Sequence, residues 1–191
     1  MTQPYKLELP AQTVTSADPV VAAALQKAKA QTGFIPNMYT YMANSPGLLE
    51  TYLDGYARFR SASQLTPAEQ EVVFLTISRD NGCEYCMAAH STLADRMSKV
   101  PPPVIDAVRA GTAIPDARFA ALSGFTATML ASRGRPSTDE VEAFIRAGYG
   151  ERHVLEIILA ISVKTLSNYA NHVFQTPLDA MFAGREWKQA A

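Results

Sequence analysis

Cysteine is almost missing from this chain of 191 residues, which has two. Two thiols cannot build a disulfide framework, so the fold must rest on a hydrophobic core. A surplus of either charge is also missing: Lys plus Arg number 17 against 18 Asp plus Glu, for a net charge of −1 and a pI near 6.3. That balance argues against a nucleic-acid binder or a protein held to an anionic membrane surface. No run of about 18 apolar residues occurs, so the sequence offers no candidate membrane-spanning helix. The richest run, Val154 to Val163, is broken by Glu156. The opening Met1-Thr2-Gln3-Pro4-Tyr5-Lys6 lacks the basic-then-apolar pattern of a secretion signal, and a cytoplasmic location is expected. There is no glycine-rich phosphate loop, so a bound nicotinamide is not expected. Charged residues make up 18% of the chain, below the ~25% of an average soluble protein. A surface so thin in charge hints at a covering subunit.

What is present reads as helices. Ser16-Ala17-Asp18-Pro19 combines cap residues with an early proline, and Gly33 closes the helix that follows. A short helix over Met38 to Met42 precedes a longer one from about Gly47 to Arg60, with Leu49, Tyr52, Tyr56 and Phe59 at spacings of three and four. Thr66-Pro67-Ala68-Glu69 is a capping box with proline at the first position, and Asn81-Gly82 ends the helix it opens. Another helix begins near Cys83 and runs to about Met97. Val104 to Ala110, Asp116 to Ala131, a helix opened by the capping box Ser137-Thr138-Asp139-Glu140, and Arg152 to Phe174 complete the series. No alternation of period two is long enough for a strand. The expected fold is all-α, one domain over 1–191, with residues 1–15 as an extended N-terminal arm.

Both cysteines fall in one four-residue window. In a helix starting near Cys83, the spacing i, i+3, i+7 puts Cys83, Cys86 and His90 on one face. The thiols occupy the first turn, where the helix dipole and unpaired N–H groups favour a thiolate. His90 stands one turn beyond, ready to move a proton. If the two helices flanking Asn81-Gly82 fold back antiparallel, Glu71 and His90 differ in level by roughly 3 Å. A carboxylate there orients the ring and raises its basicity, giving the Cys–His–acid logic of an activated nucleophile.

The run Leu65-Thr66-Pro67, Glu71, and Cys83-Glu84-Tyr85-Cys86-Met87-Ala88-Ala89-His90 resembles the signature of the carboxymuconolactone decarboxylase-like superfamily, and within it the AhpD-like alkylhydroperoxidases. Ile35-Pro36-Asn37-Met38, Asn44-Ser45-Pro46 and Asn168-Tyr169-Ala170-Asn171-His172 followed by Thr176-Pro177-Leu178-Asp179 are similar to flanking segments of the same proteins. The resemblance implies an AhpD-like helical fold, assembly as trimers or hexamers of trimers, and thiol-dependent reduction of hydroperoxides. It implies that Cys86 attacks peroxide, that Cys83 resolves the product as a disulfide, and that Glu71 and His90 relay the proton. It also implies a dithiol reductant, a lipoyl-bearing or thioredoxin-like protein, and no metal, haem or flavin. The familiar alkylhydroperoxidases carry a histidine where this chain has Tyr85, a poor base at neutral pH. The decarboxylases lack the cysteine pair.

Other readings stand beside this one. The pair suits a disulfide oxidoreductase or redox sensor that ignores peroxide. Cys83, Cys86 and His90 also supply three zinc ligands, with Glu71, His153 or His172 as a fourth, or the motif is vestigial. Tyr85 is expected as a packing residue whose hydroxyl lines the site. His172, beside Asn171, is expected to approach from the long helix, or simply to be a polar helix end.

Overall fold

The computed structural model describes residues 4–189. Among them are nine α-helices and no strand: α1 (Pro19–Thr32), α2 (Asn37–Met42), α3 (Pro46–Ala62), α4 (Pro67–Asp80), α5 (Glu84–Arg96), α6 (Pro102–Ala110), α7 (Ala117–Ala131), α8 (Thr138–Arg146) and α9 (Glu151–Phe174). The all-α expectation holds. A short 3₁₀ helix, Ala180–Arg185, follows; a segment this short has no periodicity for the sequence to reveal.

The helix ends follow local chemistry. Asp18 accepts the Val20 N–H at 2.8 Å, and Gly33 closes α1 in the left-handed region at φ 79°. Thr66 and Glu69 form a reciprocal capping box on α4, and Ser137 and Glu140 form another on α8. Helix α8 stops at Arg146, and Gly148 takes φ 94° in the connection to α9.

Helix α4 is the centre of the molecule. Every residue from Glu69 to Ser78 is buried, because α5, α6, α7 and α9 all pack on it. A helix covered on all sides shows no polar stripe, so its sequence carries little amphipathic signal. The buried apolar residues form two clusters. One joins α4 to α6, α7 and α8 through Phe74, Ile77, Phe125 and Phe144. The other joins α1, α2 and α3 to the start of α5 and to α9, and it contains Cys83 and Cys86. The candidate site therefore lies at the seam where α3, α4, α5 and α9 meet.

Of the expected N-terminal arm, residues 1–3 lie outside the described residues. From residue 4 to 15 there is no helix. The Leu7 N–H donates to Val173 at 2.8 Å and Gln12 N–H to Thr40 at 2.9 Å, laying the segment along α9 and α2.

Candidate active site

The chain reverses between α4 and α5 at Gly82, where φ is +68°, a region that costs a side-chain-bearing residue strain. Cys83 is the N-cap of α5. Its N–H donates to Ser78 at 2.8 Å and its carbonyl accepts from Met87 at 2.9 Å. Cys86 follows within the first turn. Both cysteines are free and buried.

The reversal brings Glu71 on α4 against His90 on α5, with Glu71 Oε2 at 2.8 Å from His90 Nδ1. The other carboxylate oxygen accepts from Arg60 of α3, whose guanidinium also donates to Tyr56 at 2.9 Å and Gln70 at 3.1 Å. Burial pushes the Glu71 carboxyl up, but His90 and Arg60 outweigh it and hold it below the usual range. Burial, then the Lys164 charge, lower His90 against the opposing pull of Glu71. A neutral imidazole facing a carboxylate carries its hydrogen on Nδ1 and leaves the Nε2 lone pair free. Phe74 packs on this ring with centroids 4.8 Å apart.

The two thiols are unequal. Burial pushes the Cys86 thiol up, yet the Cys83 thiol hydrogen-bonding to it and the Lys164 charge bring it well below its ordinary value. That same bond to Cys86, followed by burial, pushes Cys83 up. The pair thus favours a thiolate on Cys86 and a thiol on Cys83.

Helix α9 supplies the remaining wall. Asn171 Nδ2 lies 3.3 Å from Cys86 Sγ, 3.8 Å from Cys83 Sγ and 3.2 Å from Met38 Sδ. Ser167 Oγ lies 3.9 Å from Cys86 Sγ. Lys164 is 0% exposed, and its Nζ has no hydrogen-bond partner. It sits 5.5 Å from the centroid of the Phe74 ring.

The two cysteines border different openings. Cys86, His90 and Lys164 line a cavity of about 440 Å³ with apolar and aromatic walls that include Tyr39, Tyr52 and Phe182. Cys83 lines a wider, more polar groove of about 940 Å³ with Glu84, Asn171, His172, Gln175 and Lys188. Tyr85 borders both, but its hydroxyl donates to Asp179 beyond α9 and burial keeps it protonated. His172 stands in the Cys83 groove, with a buried Nε2 that has no partner, and does not reach the Cys86 cavity. Among the described residues no three His, Cys, Asp or Glu side chains converge as a metal site. His153 is occupied in closing the start of α9, where its Nδ1 accepts the Gly150 N–H at 2.9 Å.

Arg60 and Lys164 had no place in the sequence reading. Arg60 gives no signal among exposed helix arginines. Lys164 does: Lys164, Ser167, Asn168 and Asn171 recur at i, i+3, i+4 and i+7 along one face of α9, and all four are buried. A polar stripe on a buried face marks a site.

The family model of the carboxymuconolactone decarboxylase family matches residues 46–128, which span α3 to α7. Among curated proteins, none matches the sequence at a significant level. Several solved structures are similar in fold. An uncharacterized peroxidase-related protein from Ralstonia eutropha JMP134, described as an alkylhydroperoxidase AhpD core, is 21% identical with a TM-score of 0.80, over 98% of this chain and 100% of its own. A peroxidase-related protein from Silicibacter sp. TM1040 is 21% identical with a TM-score of 0.77, over 96% of each chain. The debrominase Bmp8, in complex with 2,3,4-tribromopyrrole, is 16% identical with a TM-score of 0.73, over 96% of this chain and 97% of its own.

Proposed function

We propose that the chain, which has the AhpD-like fold and matches the carboxymuconolactone decarboxylase family model over residues 46–128, is a member of that superfamily and acts as a thiol-dependent hydroperoxide reductase. One observation carries the reading: a buried pair of free cysteines, one of which, Cys86, shares an apolar cavity with a His90 held 2.8 Å from Glu71.

The chemistry is as follows. The Cys86 thiolate attacks the terminal oxygen of a hydroperoxide. The O–O bond breaks, Cys86 becomes a sulfenic acid, and the departing alkoxide takes a proton and leaves as an alcohol. The Cys83 thiol then loses its proton to His90 Nε2 and attacks the Cys86 sulfur. The leaving hydroxide takes that proton as water, and a Cys83–Cys86 disulfide remains. An external dithiol attacks this disulfide from the Cys83 groove and restores both thiols by exchange. No step calls on a metal, flavin or nucleotide. A lipoyl-bearing or thioredoxin-like protein is the proposed reductant, a homo-oligomer the proposed assembly, and the cytoplasm the proposed location.

Rapid mixing of the reduced protein with a small excess of an organic hydroperoxide, read by mass, tests this. Wild type should lose two hydrogens, and Cys83→Ser should gain one oxygen on Cys86. Reaction no faster than that of a free thiol would overturn the proposal. The width and polarity of the Cys83 groove favour a second reading, exchange with protein disulfides without peroxide; a disulfide-bonded substrate turned over while hydroperoxides are not would establish it.

A further inference from the structure

We propose that Lys164 is a further catalytic residue: its ammonium is the counter-ion of the Cys86 thiolate and the donor of the proton that the departing alkoxide takes. The inference rests on the hydroperoxide reading for its second half only.

An ammonium fully out of water, with no hydrogen bond, is strongly disfavoured unless an anion balances it. Around Lys164 the titratable groups are Glu71 from α4; Cys83, Cys86 and His90 from α5; Tyr52 and Tyr56 from α3, with Arg60 behind them; and Tyr39 from α2. Glu71 is already shared between Arg60 and His90. The tyrosine hydroxyls are driven up by burial and stay protonated. His90 is neutral or cationic and cannot supply negative charge. Cys83 keeps its proton. The Cys86 thiol is what remains, on a residue that lines the same cavity as Lys164. The Phe74 ring face, 5.5 Å from Nζ, adds a weaker attraction.

This pairing has a consequence for the reaction. In the dithiol state the cavity holds one cation and one anion. Attack on ROOH converts the thiolate into a neutral sulfenic acid and creates RO⁻. The Lys164 ammonium gives that alkoxide its proton, so ROH leaves and the lysine stays behind as a neutral amine. Nothing uncompensated is left beside the buried lysine, including after the disulfide closes. Reduction by a dithiol brings two hydrogens: one returns to Cys83 and the other to Lys164 as the Cys86 thiolate reappears. The sum is ROOH plus dithiol giving ROH, water and a disulfide.

The test is the pH dependence of Cys86 alkylation by iodoacetamide in a Cys83→Ser background, beside absorbance at 240 nm for the thiolate. With Lys164 present, the thiolate should persist through neutral pH. Lys164→Met should move the midpoint up by about one to two pH units and slow the hydroperoxide step by at least about tenfold, and Lys164→Arg should restore the thiolate but not the full rate. An unmoved midpoint in a folded Lys164→Met protein would overturn the pairing. Should that variant fail to fold, the Lys164 side chain of wild type is followed by carbon-13 NMR: a charged amine in the dithiol and a neutral one in the disulfide are expected, and the same charge in both would overturn it. Alkylation involves no hydroperoxide. A Lys164-dependent thiolate together with inert hydroperoxides therefore keeps the pairing and removes the proposed function, while the reverse result removes the pairing alone.

Discussion

Glu71 is a carboxylate in the interior of an all-helical protein, tolerated because Arg60 and His90 each take one of its oxygens. Removing one partner of such a buried set leaves charge unbalanced, so Arg60→Met should cost roughly 3 kcal/mol in denaturant unfolding. His90→Ala, which takes away the proton carrier, should slow disulfide closure about a hundredfold while leaving thiolate alkylation at Cys86 measurable. Stability should also follow pH in a set direction. The folded pKa of His90 lies below its ordinary 6.5 and that of Glu71 below its ordinary 4.5. At both groups the unfolded chain binds protons first as pH falls. The contributions of His90 and Glu71 to thermal stability should therefore be full above pH 6.5; the first declines below that value and the second below 4.5. A Glu71→Gln protein should lose the lower of these two declines. The candidate site was legible in part at this scale. The Cys83, Cys86 and His90 face follows from spacing within one helix, whereas Arg60 looks like any surface arginine until α3 packs on α4.

Between elements, α3 and α9 approach closely at Gly55, where a Cβ would come within 2.9 Å of a Val163 methyl. A valine methyl has little freedom to retreat, so Gly55→Ala should destabilise by about 1–3 kcal/mol through overpacking. That loss should exceed the helix-propensity gain of replacing glycine. Since Lys164 follows Val163, the same substitution should also raise the Cys86 midpoint, measured by alkylation. The capping boxes, by contrast, act locally: Thr66→Ala should cost about 1 kcal/mol with the thiol midpoint unmoved. Most helices were legible in the sequence because their caps, prolines and glycines are local signals. The 3₁₀ helix Ala180–Arg185 was not, since it is held by contacts with α5, Asp95 accepting from Arg185 at 2.7 Å among them.

For the molecule as a whole, the outer side of α9 exposes Leu155, Ile158, Tyr169 and Val173 on one face, continuous with an apolar hollow lined by Leu7, Leu9 and Leu48. In the proposed homo-oligomer this face is covered by a second copy. Leu155→Glu with Ile158→Glu should shift the mass measured by light scattering toward the monomer. Among the described residues no helix is long and apolar enough to cross a membrane.

Composition, caps and spacing by themselves determined that the chain is helical, where its helices start and stop, and that two thiols and a histidine share one face of α5. Those features depend on residues a turn or less apart, and a helix of fixed pitch needs nothing else to set them. The tertiary structure alone decided the electrostatics: Arg60 on Glu71, Lys164 in one cavity with Cys86, Tyr85 turned away to Asp179, and one cysteine bordering each of two openings. Those pairings join α3, α4, α5 and α9 across long stretches of chain. Their strength comes from the exclusion of water, and that exists only once the helices have packed.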